Sequence, residues 1–542
     1  MGMDKCVYCG QCDSGDKIML ILNNVKLPIT QDFSDIKNLL SDSFSINKRE
    51  IISAYLYKKS IDARHKNNIV FVCSFLLELR NEAAFLKRHK NAAFYNEKEY
   101  EYKKINSPVR PVVVGFGPAG MFAALFLARF GLKPIILERG KCVEERKKDV
   151  DAFLSGGPLD ENSNIQFGEG GAGTFSDGKL NTGIKDSRIR TVLKTFYDAG
   201  AAQNILYDAK PHIGTDVLIG VVRNIRKEII ELGGEFHFSA RFDSLKVSNG
   251  AITGVEYTLL QSGEKRQIDC SFLVLAIGHS ARDTFVSLLD TGVQMVSKPF
   301  SVGARIEHKA ENINRALYGD FADVLPSADY KMAVHLSSGR GVYTFCMCPG
   351  GYVINASSEK GGSLVNGMSE AARNGENSNC ALLVEVHPED LDSENVLSGM
   401  EFQRSIEQKA YNIGKGNIPV TTVGKLLNTE AKTNVTPTVK PGAVEADIYD
   451  VLPDFVVDSI KEALPLFAQK IEGFADGGAV LTFPESRSTS PVRIIRGEDF
   501  EAIGIKGLFP AGEGAGYAGG IMSSAVDGIK IAEAVRDKIN LL

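Results

Sequence analysis

Hydrophobic and polar positions alternate over residues 17–27, 50–60 and 68–79, the period of half-buried strands. Residues 31–40 instead space their apolar side chains like a helix, with Thr30 as its candidate N-cap. Together these elements predict a small α+β domain over residues 1–105, with the Tyr- and Lys-rich stretch 97–106 as connector. The pattern then changes. Val112, Val113 and Val114 form a continuous apolar run that enters Gly115-Phe-Gly117-Pro118-Ala119-Gly120. An apolar helix follows to about Phe130, and a second short strand ends at Glu138. Strand, glycine turn, helix, strand and terminal acid make a βαβ dinucleotide fingerprint. Gly115 permits the tight turn, Gly117 lets amides approach a pyrophosphate at the helix N-terminus, and Gly120 lets helix and strand pack closely. Glu138 is placed to accept hydrogen bonds from a ribose diol.

Two later glycine clusters fit the same spacing but not the same context. Gly168, Gly170 and Gly173 run into Thr174-Phe-Ser176-Asp-Gly-Lys179, too rich in turn formers for a helix. Gly514, Gly516 and Gly519 open a helix over 522–538 with no βαβ strand after it. Between them, residues 236–269 read as a β-meander with turns at Asn249-Gly250 and Ser262-Gly263, leading to a buried strand over 271–278 that ends at Gly278. Meander, strand and a closing strand-turn-helix with Gly and an acid follow the order of the glutathione-reductase-like FAD fold. The expected architecture is α/β: a Rossmann-like FAD-binding domain in two pieces, 106–289 and 479–542, with an inserted α+β substrate domain over 290–478 and the small α+β domain in front.

Longer motifs carry a more specific resemblance. They are Phe167-Gly168-Glu-Gly-Gly-Ala-Gly173, Lys210-Pro-His212-Ile-Gly-Thr-Asp216, Leu275-Ala-Ile-Gly278-His279, Gly303-Ala-Arg305-Ile-Glu-His308, Phe345-Cys-Met-Cys348-Pro-Gly-Gly and Gly512-Glu513-Gly-Ala-Gly-Tyr-Ala-Gly-Gly520-Ile521. The chain resembles a family of FAD-dependent dehydrogenases of unassigned substrate found in bacteria and plastids. The resemblance implies pyrophosphate contacts at Gly115, Gly117, Pro118, Ala119 and Gly120, and ribose and adenine contacts at Glu138, Arg139 and the Phe242 backbone. It further implies that Gly173, Thr174, Ser176 and Lys179 lie near the flavin and that Gly278 lines the cleft. Gly512, Glu513, Gly520 and Ile521 would hold the ribityl chain and pyrimidine edge.

Candidate chemistry is sparser. In a regular strand Thr344, Cys346 and Cys348 share one face, and Cys348, just before Pro349-Gly350-Gly351, is a candidate redox or nucleophilic thiol; a buried structural pair is the competing reading. His279 directly follows Gly278 at a strand's carboxyl edge, where catalytic groups collect, whereas His308 and His212 suit structural hydrogen bonds. Arg487 and Arg493 have the geometry to clamp a carboxylate or phosphate, or to pair with Glu485, Glu498 or Asp499 and hold the loop. Ser60-Ile-Asp62-Ala-Arg64 reads as a surface ion pair. Cys6, Cys9 and Cys12 could share a soft metal or an iron–sulfur cluster, but no fourth ligand is evident; a cysteine-rich terminus without a site is the alternative.

Bulk properties narrow the classes. A net charge of −5 and a pI near 6.0 leave no overall footprint for nucleic acid, which counts against a flavin-dependent tRNA-modifying enzyme. No apolar run reaches membrane-helix length, and nothing resembles a signal peptide, so a cytoplasmic protein is expected. The odd count of nine cysteines argues for reduced thiols. There is no second βαβ fingerprint for NAD(P)H, so a nicotinamide, if it is the donor, docks transiently. The leading expectation is an FAD-dependent oxidoreductase transferring hydride through the flavin N5 to or from a small molecule; a non-catalytic flavin redox sensor is the alternative.

Overall fold

The computed structural model describes residues 19–96, 99–391 and 394–542. Cys6, Cys9 and Cys12 lie outside the described residues. At the front, the strands Met19–Pro28, Ile51–Asp62, Val70–Leu79 and Ala92–Tyr95 form an antiparallel sheet. The expected helix at 31–40 is displaced to Ile36–Phe44, capped by Asp35 rather than Thr30. The cause is local: the Asp32 carboxylate accepts from the Ser34 amide at 2.9 Å, holding the chain in a turn, and Asp35 then accepts from the Asn38 amide at 2.9 Å. The Asp62–Arg64 pair forms at 2.6 Å and leaves Arg64 80% exposed, as a surface contact does.

The strands Leu508–Pro510, Leu273–Leu275, Val112–Val114, Ile135–Leu137 and Glu235–His237 lie side by side in that order, all parallel. A fully parallel sheet is buried on both faces, which explains why Val112–Val114 and Leu273–Leu275 are apolar at every position. The helices Pro118–Arg129 and Ile521–Ile539 pack together on one face, and Gly528 is the contact that lets them: a Cβ there would stand 2.2 Å from the Ala119 carbonyl oxygen. The meander Ala240–Ser248, Ala251–Leu259, Glu264–Asp269 covers the other face.

The inserted region is a seven-stranded sheet ordered Ala333–His335, Gly341–Cys348, Asn377–Val386, Phe300–Lys309, Val480–Glu485, Ile418–Thr422, Ala443–Glu445. Val480–Glu485 lies past the boundary expected at 478 yet pairs with Phe300–Lys309. Even positions of Phe300–Lys309, such as Val302, Ala304 and Ile306, join Leu382, Val384, Ile460 and Phe467 in an apolar core beneath the helix Asp454–Ala468. Odd positions, Ser301, Gly303, Arg305 and Glu307, therefore face the other way. A hairpin, Tyr352–Asn355 with Val365–Met368, covers that second face and packs against Val150, Ile165 and Phe175 of the parallel-sheet domain. Among the described residues no helix is long and apolar enough to cross a membrane.

Candidate active site

One cavity of about 280 Å³ runs between the parallel sheet and the odd face of the mixed sheet. At one end it is made of backbone. Gly115, Gly117, Pro118 and Ala119 line it, and the helix Pro118–Arg129 begins there with no side chain capping its first amides. Such amides are free to bind an anion. Gly171 approaches from the opposite wall, where a Cβ would stand 2.9 Å from the Gly117 Cα. Gly120 does not line the cavity: a Cβ there would stand 1.9 Å from the Gly115 carbonyl oxygen, so its role is close packing. Glu138 lines the wall but is already engaged, its carboxylate accepting from the amides of Phe116 at 2.8 Å, Gly140 at 2.9 Å and Gly168 at 3.0 Å. It holds three loops together as well as facing the cavity. Arg139 stacks over Phe167 and donates to Asp283 at 2.7 Å; Phe242 also lines the wall.

The middle is closed by the second uncapped helix. Gly520 and Ile521 start the helix Ile521–Ile539 at the cavity wall. Gly512 is set back, its amide donating to Asp527 at 2.8 Å. The Glu513 carboxylate accepts from the Gly520 amide at 3.3 Å, and burial raises its pKa to about 7. His279 lines the cavity with Nε2 3.8 Å from Glu513, too far for a direct hydrogen bond, and its Nδ1 has no partner among the described residues. Burial, with Arg487 and Arg282 nearby, lowers His279 to about 3, so the imidazole is neutral. Gly173 and Ser176 line the wall, but Thr174 does not; its carbonyl accepts from Thr215, and its hydroxyl lies beside Gly170.

The far end is built from buried charge. Arg305, fully buried, donates to Glu485 at 2.6 and 2.8 Å, to Asn379 at 2.8 Å, to Asn366 at 3.3 Å and to the Cys346 carbonyl at 3.1 Å. Lys179 donates to the Met347 carbonyl and pairs with Asp177 at 3.2 Å, which also holds Arg373 at 2.9 Å. Arg487 lines the cavity, but its guanidinium is held by Glu407 at 2.9 and 2.7 Å and by Ser358 at 2.6 Å. None of the partners expected for it, Glu485, Glu498 or Asp499, is the one it uses, because Glu485 is taken by Arg305. Glu407 also holds Arg282; against the cost of burial, these two arginines keep its carboxyl well below the usual range. Arg493 is outside the cavity wall, donating to the Gly516 carbonyl at 3.3 Å beside Tyr517.

A β-bulge takes Cys346 and Cys348 off the face of Thr344 that regular alternation gives them. Phe345 pairs with Ala381, but Cys348 pairs with Asn379; one residue too many stands between, and Cys346 has φ of 42°. Thr344 and Met347 point to the apolar core, while Cys346 lines the cavity. Cys348 lies on Arg305's face but behind the wall, covered by Gly367. The alternation gave no signal of this, because a bulge is invisible to period-two patterning. His308 and His212 are structural, bonded to the carbonyls of Phe474 at 2.8 Å and Ala371 at 3.1 Å.

An elongated cavity between two uncapped helix N-termini, closed by a meander on one side and a mixed sheet on the other, defines a Rossmann-type FAD-binding flavoprotein. The chain belongs to a family of FAD-dependent proteins: residues 299–488 match the model for the "FAD-dependent protein, C-terminal domain-like" family, and a Clostridium beijerinckii protein described as uncharacterised is 44% identical over 533 residues, 96% of this chain and 99% of the relative. A domain family of unknown function matches residues 19–78. Among solved structures, the flavin-dependent brominase Bmp2 is 12% identical, covering 79% of each chain with a TM-score of 0.37. A geranylgeranyl bacteriochlorophyll reductase-like protein of Thermoplasma acidophilum is 12% identical over 80% of this chain and 79% of its own, with a TM-score of 0.36. Similarity at this level is too low to carry activity or substrate to this chain.

Proposed function

We propose that the protein is an FAD-dependent oxidoreductase that transfers a hydride between the flavin N5 and a small molecule. The observation that carries this reading is that one cavity is bordered by the backbone at 115–119, the helix start at Gly520 and Ile521, Phe345 and Cys346 of the mixed sheet, and Asn366 of the hairpin. FAD when bound supplies the two-electron acceptor or donor. In this reading Gly115, Gly117, Pro118 and Ala119 bind pyrophosphate, Glu138, Arg139 and Phe242 surround the adenosine, and Glu513, Gly520 and Ile521 hold the ribityl chain and pyrimidine edge. Gly173, Ser176, Lys179 and Gly278 flank the flavin. The positive end of the helix Ile521–Ile539 favours negative charge there. Glu513, its pKa raised to about 7, can take up or give a proton beside neutral His279, while Arg487, locked by Glu407, shapes the substrate end rather than clamping an anion freely.

NADH or NADPH is the candidate transient donor, and the test is anaerobic stopped-flow mixing of oxidised enzyme with each, watching flavin absorbance. Fast bleaching by either supports a reductase with ping-pong behaviour. Bleaching only by a metabolite from a screen supports a dehydrogenase. No reduction by any of them overturns the oxidoreductase reading in favour of a redox sensor.

A further inference from the structure

The bulge in Gly341–Cys348 holds Cys346 in the left-handed region, at φ of 42°. A non-glycine residue in the left-handed region persists only where its surroundings fix it, and here they do: the Cys346 carbonyl accepts from Arg305 at 3.1 Å and from the Cys348 thiol at 3.4 Å, and the next carbonyl, Met347, accepts from Lys179. Without the extra residue, Cys346 and Cys348 would continue the face of Thr344 and point into the apolar core. With it, Cys346 reaches the cavity wall and Cys348 lies directly behind, its sulfur 3.9 Å from Arg305 Nη1. The remaining described cysteines, Cys73, Cys142, Cys270 and Cys380, do not line this cavity.

We propose that Cys346 and Cys348 form a redox-active dithiol that exchanges two electrons with the flavin, with Cys346 as the cavity-facing thiol. This rests on the reading of the cavity as the FAD site. The Cys346 thiolate and the Cys348 thiol together lose two electrons and the Cys348 proton; one sulfur–sulfur bond forms, one S–H bond breaks, and oxidised flavin takes up both electrons and that proton. The reverse step restores the dithiol. Electrostatics agree with this division of roles. The adjoining Cys348 thiol and the cations Lys179 and Arg305, against the cost of burial, hold Cys346 below the usual thiol range, whereas Cys348 is pushed up by its neighbouring thiol and by burial.

The test uses the full chain with Cys6, Cys9 and Cys12 replaced by serine, loaded with FAD, oxidised with diamide, desalted and titrated anaerobically with dithionite. The expected uptake is four electrons per FAD, falling to two in C346S and in C348S. Alkylation mapped by peptide mass gives a readout independent of turnover: Cys346 and Cys348 should be protected after diamide and labelled after reduction. Should C348S fail to fold, C346S decides, since Cys346 is only partly buried. Uptake of two electrons by FAD-loaded parent protein, or labelling of both thiols after diamide, overturns the dithiol and leaves the flavin reading intact. A protein that takes up no FAD overturns both.

Discussion

The two ends of the cavity are built from different materials. Around residues 115–119 the wall is backbone, shaped by glycines and tied by the three amides on Glu138; around residues 345–348 it is side-chain charge, with Arg305 on Glu485 and Arg282 and Arg487 on Glu407. The first end closes over short separations, 22 residues between Glu138 and Phe116. The second joins partners 180, 125 and 80 residues apart. Backbone suits a site that binds a constant anionic group, because amides cost no ionisable partner. A charge network suits a site that must hold a particular shape around a variable molecule, but it is exposed to the loss of any single member.

The largest contrast is therefore expected at Glu407. Glu407→Ala leaves two buried guanidiniums facing one another and should cost about 3–5 kcal/mol in urea unfolding, or prevent folding. A loss under about 1 kcal/mol would show that the network is solvated. Its depressed pKa fixes the pH sign: this carboxylate's contribution is complete above the unfolded value near 4.3 and is lost only as pH falls through its far lower folded value.

At the backbone end, Glu138→Ala frees three loop amides and should weaken both fold and FAD binding by about 1.5–3 kcal/mol; unchanged stability in the FAD-free protein would mean that the loops are held otherwise. The glycines divide the same end into packing and binding. Gly120→Ala collides with the Gly115 carbonyl and should destabilise by about 1–3 kcal/mol. Gly117→Ala meets nothing nearer than 3.7 Å, so its stability should stay within about 0.5 kcal/mol of the parent while FAD retention falls. Equal stability losses in the two would erase the distinction.

A pH-dependent effect lies between the ends, at Glu513. Its folded pKa, raised to about 7, exceeds the unfolded value near 4.3, so the folded state binds more protons in that window. Stability of the FAD-free protein should fall as pH rises from about 4.3 to 7, and Glu513→Gln should flatten that slope in thermal unfolding measured across the range. An unchanged slope would place the proton elsewhere.

The same contrast explains what was legible in the sequence. The parallel sheet, the fingerprint helix and the meander announce themselves through apolar runs, glycine spacing and turn pairs, all local signals; fourteen of the cofactor positions that the fingerprint and the family resemblance implied, among them Gly115, Ser176, Phe242 and Ile521, lie in the cavity wall. Gly120, Thr174 and Gly512 fit the same motifs but turn away, because a motif fixes spacing and not the direction in which each residue faces. Arg487 was legible as a candidate, but not its partner Glu407, which arrives from a distant helix. Cys346's place in the wall was hidden by the bulge, which leaves no mark on a period-two pattern. The cap at Asp35 was missed because the Asp32 turn competes with the helix.

The central claim is that the cavity holds FAD, and the most direct measurement is the absorption spectrum and extracted cofactor of the purified full-length protein, before and after incubation with excess FAD and gel filtration. The account predicts a yellow protein carrying FAD at close to one per chain, with Glu138→Ala releasing it. A colourless protein that retains no FAD while binding NAD in titration would contradict it.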